Sequence, residues 1–445
     1  MSKTKKETMT KTKDSQVASE YDVFPKGFMW GASTASHQVE GNTYNQWTVW
    51  ELQHARELSE TAHERLSWIP GWERHRNQAE TPENYLSGYG VKHYEQYKTD
   101  FDTVEKLNMN SFRFGIEWSR IEPENGVWNA EAIKHYTDYI NDLVSRGIEP
   151  VLNLWHWTMP TWFTDMGGFE KKENIVFFDR FVTKMCSELP MQKISYIITL
   201  NEPNVYASFG YGTGEWPPNK KNWFSFLRVY YNLTIAHKRS YRIIKKRYPR
   251  MKIGVAQQLA NIQAKRPQNI LDNFAVRWMR YFWNWWFLNR IIKYQDYVGF
   301  NYYFTDYYRF GSLREMVKGK FFYRDNPSFP TNDLGWYMEP EGLHALIVRV
   351  WAHYKKPILI TENGLADAGD EHRQWWIEET IIAMERAISE GVELKGYFHW
   401  SLLDNFEWAY GWWPQFGLIR VDRKTMKRHI RPSAKYYAEQ IKKHS

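Results

Sequence analysis

The run KISYIITLNEPN, residues 193–204, decides the fold. Its first half is dense in β-branched and aromatic residues and reads as a short strand. Its second half places Asn201 and Glu202 where that strand gives way to a loop. A strand buried on both faces is a poor place for a charge unless the charge is paired or used. Glu202 therefore calls for a partner or a task.

Seven further runs of the same kind lie along the chain: FMWGAST (28–34), SFRFGIE (111–117), EPVLNLW (149–155), KIGVAQQ (252–258), DYVGFNYY (296–303), PILITEN (357–363) and LKGYFHW (394–400). Helical patterns separate them. In AEAIKHYTDYINDLVSRG (130–147), Ile133, Tyr136, Ile140 and Val144 recur every three or four residues and Gly147 makes a stop. Eight strand–helix units predict an α/β chain with one (β/α)8 TIM barrel as a single domain over residues 21–445. A doubly wound sheet is the alternative, but no glycine-rich phosphate turn follows the first strand. Residues 1–20, rich in Lys and Thr, read as a flexible basic tail. The predicted strands end in Glu117 and Trp118, Trp155 and His156, Asn201 and Glu202, Asn301 and Tyr303, Glu362 and Asn363, and Trp400. In this fold catalytic groups come from the C-terminal strand ends.

Composition narrows the class. Among 445 residues 18% are aromatic, 24 of them Trp, which suits stacking on rings or sugars as well as core filling. The net charge of +8 raises nucleic acid or an anionic membrane as partners. The basic residues read as scattered apart from the tail and KKRYPR (245–250), so solvated helix faces are expected and no nucleic-acid partner. One cysteine, Cys186, excludes an internal disulfide and fits a reducing, cytoplasmic setting. No signal peptide or membrane-spanning run is read. The stretch VRWMRYFWNWWFLNRIIK (276–293) has the composition of an interfacial helix, yet the expectation is a buried barrel helix with membrane association unlikely. His54, His63 and His75 fall in a stretch read as a polar loop and match no ligand spacing, so neither metal nor cofactor is implied.

PILITENG (357–364) repeats the feature at Glu202, delivering Glu362 at the end of the seventh strand. Strands four and seven face each other across the mouth of a closed eight-stranded barrel. Two carboxylates on one cavity suit glycosidic bond cleavage, one donating a proton and the other acting at the anomeric carbon. The alternative is a pair of salt-bridged glutamates, with Arg113 as a partner.

These segments, with FMWGASTASHQVEG, SFRFGIEWSRIEPENG, LWHWTMPTWF, GFNYY and WSLLDNFEWAYGW in order, resemble glycoside hydrolase family 1, the retaining β-glycosidases. The resemblance implies that Glu202 is the acid/base and Glu362 the nucleophile. It implies sugar contacts for Gln38, His156, Asn201, Glu407 and Trp408, with Trp400 as a platform. Tyr303 and Arg113 match the pair that holds the nucleophile, with Asn301 close by. Small β-glycosides or oligosaccharides are the implied partners. A non-catalytic sugar binder would have lost a carboxylate, and a thioglucosidase would carry Gln at 202. A 6-phospho-β-glycosidase would carry a Ser–Lys–Tyr grip where this chain has Glu407 and Trp408. Glucose, galactose, fucose and mannose glycones stay open.

Two departures stand out. The glutamates are only 160 residues apart, and NIQAKRPQNILDN replaces an acidic segment in a shortened stretch 258–296. A shorter wall would open the side of the barrel or leave the aromatic helix partly exposed. Asn204 stands where relatives often carry an aromatic against the aglycone.

Overall fold

Eight parallel strands close into a barrel: β1 (Met29–Ser33), β2 (Ser111–Gly115), β3 (Glu149–Asn153), β4 (Tyr196–Asn201), β5 (Lys252–Gln258), β6 (Val298–Tyr302), β7 (Ile358–Gly364) and β8 (Leu394–Trp400). Each pairs with its sequence neighbour, and β1 closes the ring on β8. The computed structural model describes residues 23–311, 322–324 and 330–445, the side chains of 322–324 excepted. The predicted tail, 1–20, lies outside the described residues.

Helix 130–147 shows how local chemistry fixes an element. It runs Ala130–Ser145, with the Asn129 side chain accepting from the Ala132 amide. Gly147, at φ 74°, ends it. Its amide donates to Val144 O, and Ile148 donates back to Leu143 O, the two bonds of a Schellman stop. β3 starts two residues later.

Inside the barrel, Met29, Val151, Ile198, Ala256, Tyr297, Leu359 and Phe398 fill the space below the site. Packing at the base is apolar apart from the Tyr297 hydroxyl, which donates to Ile197 O at 3.0 Å, and the functional polar groups gather at the C-terminal ends.

Three readings are corrected. Residues 46–79 are not a polar loop but the helices Gln46–Glu60, Ala62–Leu66 and Trp72–Ala79. Their polar outer faces masked one-sided burial of Trp47, Trp50, Leu66 and Trp72. The aromatic stretch is not one buried helix. It is Ile270–Arg280, a wide π-turn at Tyr281–Trp285, and Trp286–Ile291. Phe287, Leu288 and Ile291 are buried, but Phe274, Trp278 and Tyr281 are exposed. The basic residues are not scattered either. Residues 216–295 hold seventeen Lys and Arg and one acid, Asp272.

Candidate active site

Two irregularities in strand pairing aim the site. β4 loses register with β5 between Ile198 and Asn201, and β7 loses register with β6 between Ile360 and Glu362. A bulge re-aims the side chains that follow it. The chain then leaves β4 through Glu202 in a left-handed conformation, φ 40° and ψ 59°, its amide held by Ala256 O at 2.7 Å. On β7, Gly364 is required because a Cβ there would sit 1.8 Å from the Trp400 carbonyl oxygen.

The two glutamates have unequal surroundings. Arg113 forms an ion pair with Glu362 Oε1, and its Nη2 donates to Asn201 Oδ1 at 2.7 Å. The Tyr303 hydroxyl donates to Glu362 Oε2 at 2.5 Å. Among the described residues no cation sits on the Glu202 carboxylate. Asn301 Nδ2 donates to its Oε1 at 2.8 Å, and Thr361 Oγ1, donating to Asn301 Oδ1 at 2.6 Å, fixes that amide. Burial first, and the Glu362 charge second, hold Glu202 well above the usual carboxylate range. Burial and the adjacent carboxylates push the Tyr303 phenol up as well, so it remains a donor. One carboxylate is thus ion-paired and hydrogen-bonded, while the other holds its proton more tightly than an ordinary carboxylate.

Both open on a cavity of about 860 Å³ that is also lined by Gln38, His156, Tyr303, Trp400, Glu407 and Trp408. Arg113, Asn201 and Asn301 lie behind it, buried, and reach it through their partners. Gln38 Nε2 donates to Asn405 Oδ1, Phe406 O and Glu407 Oε2, while its buried Oε1 has no partner among the described residues and is ready for a hydroxyl. Burial, reinforced by Glu362, pushes Glu407 up to about 8. His156 shares a 3.0 Å hydrogen bond with Asn201 Nδ2. Burial and the Arg113 charge hold it well below the usual histidine range, and so neutral. Its ring lies near-parallel to Trp400 and Trp408, at 5.9 and 6.0 Å.

Not every strand end belongs here. Glu117 is buried but spent on Ser36, Asn45, Ser119 and Thr158. Asn363 points out of the barrel to Trp376, Thr380 and Tyr397. Asn204 donates to Gln258 O beneath the cavity and does not line it. Sequence reading missed the outer wall: Val205, Phe209, Trp216, Ile262, Met279, Trp283, Phe304 and Trp336. The Trp283 indole donates to Gln258 Oε1. These residues come from helices, loops and the short strand Asn261–Ala264, far apart in sequence, where no spacing rule links them. Among the described residues no group of three His, Cys, Asp or Glu could hold a metal ion.

A (β/α)8 barrel with a carboxylate pair and aromatic rings around one cavity at its strand C-termini is the layout of a glycoside hydrolase. The model of glycosyl hydrolase family 1 matches residues 20–297 and 288–445, and the chain belongs to that family. It is 30% identical to a β-galactosidase of Sulfolobus acidocaldarius, covering 94% of each chain. It is also 30% identical to β-glucosidase A of Thermotoga maritima, covering 94% of this chain and 98% of that one. A solved β-glycosidase from Pyrococcus horikoshii superposes with a TM-score of 0.82 at 31% identity over 94% of both chains. The protein is a retaining β-glycosidase of the β-glucosidase type.

Proposed function

We propose that Glu362 is the nucleophile and Glu202 the acid/base in hydrolysis of terminal β-glucosides or β-galactosides with apolar aglycones. The unequal environment of the two glutamates carries the assignment. Glu362, ion-paired with Arg113 and steadied by Tyr303, attacks the anomeric carbon. Glu202, still protonated, gives its proton to the departing glycosidic oxygen. The resulting ester removes the Glu362 charge, which is one cause of Glu202's high proton affinity. Glu202 then takes a proton from water, and that water releases the sugar with its configuration retained.

Gln38 and Glu407 present one acceptor and one protonated carboxyl to sugar hydroxyls. Among the described residues no cation pairs with Glu407, which favours a neutral glycone over a phosphorylated one. Trp400 supplies a flat apolar face beneath the ring. Beyond the glutamates, the Trp216, Trp283 and Phe304 wall suits an aryl or alkyl group.

The test is Glu362→Ala. Turnover of a dinitrophenyl β-glucoside should vanish and return with azide, yielding the α-glucosyl azide. Near-normal activity without azide would overturn the assignment.

A further inference from the structure

Among the described residues seventeen large hydrophobic side chains are exposed, and nine of them sit on two neighbouring helices. Trp223, Phe224, Leu227 and Tyr231 share one face of the helix Trp223–Arg247. Ile270, Leu271, Phe274, Trp278 and Tyr281 form a stripe along Ile270–Arg280 and the turn after it. Two ring contacts join the helices, Phe226 to Phe282 at 6.0 Å and Tyr230 to Trp286 at 4.7 Å, and within the second stretch Trp278 stacks on Phe282 at 5.3 Å. The two rows therefore flank one seam and form one face. Scattered exposed apolar residues need no explanation, but a grouped set does.

The charge of the same segment is lopsided. Residues 216–295 carry a net +16 against +8 for the whole chain, so the other 365 residues are net negative. The one acid, Asp272, is buried and bidentate to Arg266. From outside the segment Glu170 approaches, holding Lys220 and Arg228. Asp179 holds Arg239, and Asp296 holds Lys245. Arg277, Arg242, Lys246 and Arg247 are exposed on these helices. Bulky apolar side chains among cations are the composition that settles at the headgroup level of an anionic bilayer.

Other occupants fit less well. A two-fold dimer through this face would set one positive patch against its own image. A nucleic acid would meet the aliphatic groups of Leu227, Ile270 and Leu271, which neither hydrogen-bond nor stack on bases.

We infer that this face docks the enzyme on anionic lipid surfaces. Met279 and Trp283 of the same helical stretch line the active-site cavity. Docking therefore brings the apolar side of the cleft mouth next to the bilayer, where glycosides with lipid-like aglycones partition.

The experiment is co-sedimentation of the full-length enzyme with vesicles of equal parts phosphatidylcholine and phosphatidylglycerol, beside phosphatidylcholine alone. Binding should need the anionic lipid and weaken with salt. Phe224→Ser with Phe274→Ser should weaken it on the order of tenfold or more while nitrophenyl β-glucoside hydrolysis stays unchanged. Arg228→Gln with Arg277→Gln is the second variant and should weaken binding most at low salt. The inference fails if the enzyme does not sediment with anionic vesicles. It also fails if all variants bind as the parent does, which would assign binding to another surface. Tighter binding to duplex DNA than to the vesicles overturns it. So does a dimer in sedimentation velocity that the phenylalanine variant dissolves.

Discussion

Replacing Glu202 by Gln should split the two chemical steps by leaving group. The amide keeps an oxygen for Asn301 Nδ2, which now stands 2.8 Å from Glu202 Oε1, so the local geometry survives. What disappears is the proton that burial and the Glu362 charge hold on Glu202. General-acid assistance is worth about 10²–10⁴-fold, or about 2.7–5.4 kcal/mol at about 1.36 kcal/mol per decade. An alkyl glucoside, whose leaving group needs the proton, should lose that full factor in kcat/KM. A dinitrophenyl glucoside should lose less than about tenfold in glycosylation, because its leaving group departs as an anion. The variant should then accumulate the glycosyl-enzyme, seen in stopped flow as a burst followed by slow turnover. The sign of the pH dependence follows from the same group. Activity falls as rising pH strips the proton from Glu202, and its raised affinity puts that limb above the usual carboxylate range. Glu202→Gln has no such proton, so the alkaline limb of glycosylation should flatten. Equal losses for both substrates would refute the reasoning.

Asn301→Ala removes a hydrogen bond that favours the ionised form of Glu202, so the alkaline limb should move to higher pH; a shift to lower pH in a kcat/KM profile contradicts this. Trp283→Ala should raise KM for octyl β-glucoside several-fold more than for methyl β-glucoside, because only the longer aglycone reaches that wall; initial-rate kinetics on the two decides it. Gly364→Ala drives a methyl group into the Trp400 carbonyl and should lower the melting temperature by about 5 °C or more, read by calorimetry.

Much of the barrel was legible because its strands are continuous apolar runs, and the observed eight fall inside the predicted ones or within a residue of them. The same periodicity explains the misread ends. Successive strand residues point to opposite sides, so Glu362 enters the cavity while Asn363 leaves it for Trp376. Glu117 looked like its counterparts in sequence, and only its four hydroxyl and amide donors reveal a structural role. The aglycone wall was illegible because Trp216, Trp283 and Trp336 meet only through the fold. Partial exposure of the aromatic helix follows from the shortened stretch 258–296, whereas the positive charge of that face is hidden in the whole-chain sum by the acids elsewhere.

The central claim is that Glu362 carries the sugar as an ester. A 2-deoxy-2-fluoro-β-glucoside with a dinitrophenolate leaving group slows both steps through its fluorine, and its leaving group lets the first one proceed. Mass spectrometry of the intact enzyme should show one added fluoroglucosyl group. Digestion should place it on the peptide that contains Glu362. A label on Glu202, or no covalent label while the compound is turned over, would contradict the account.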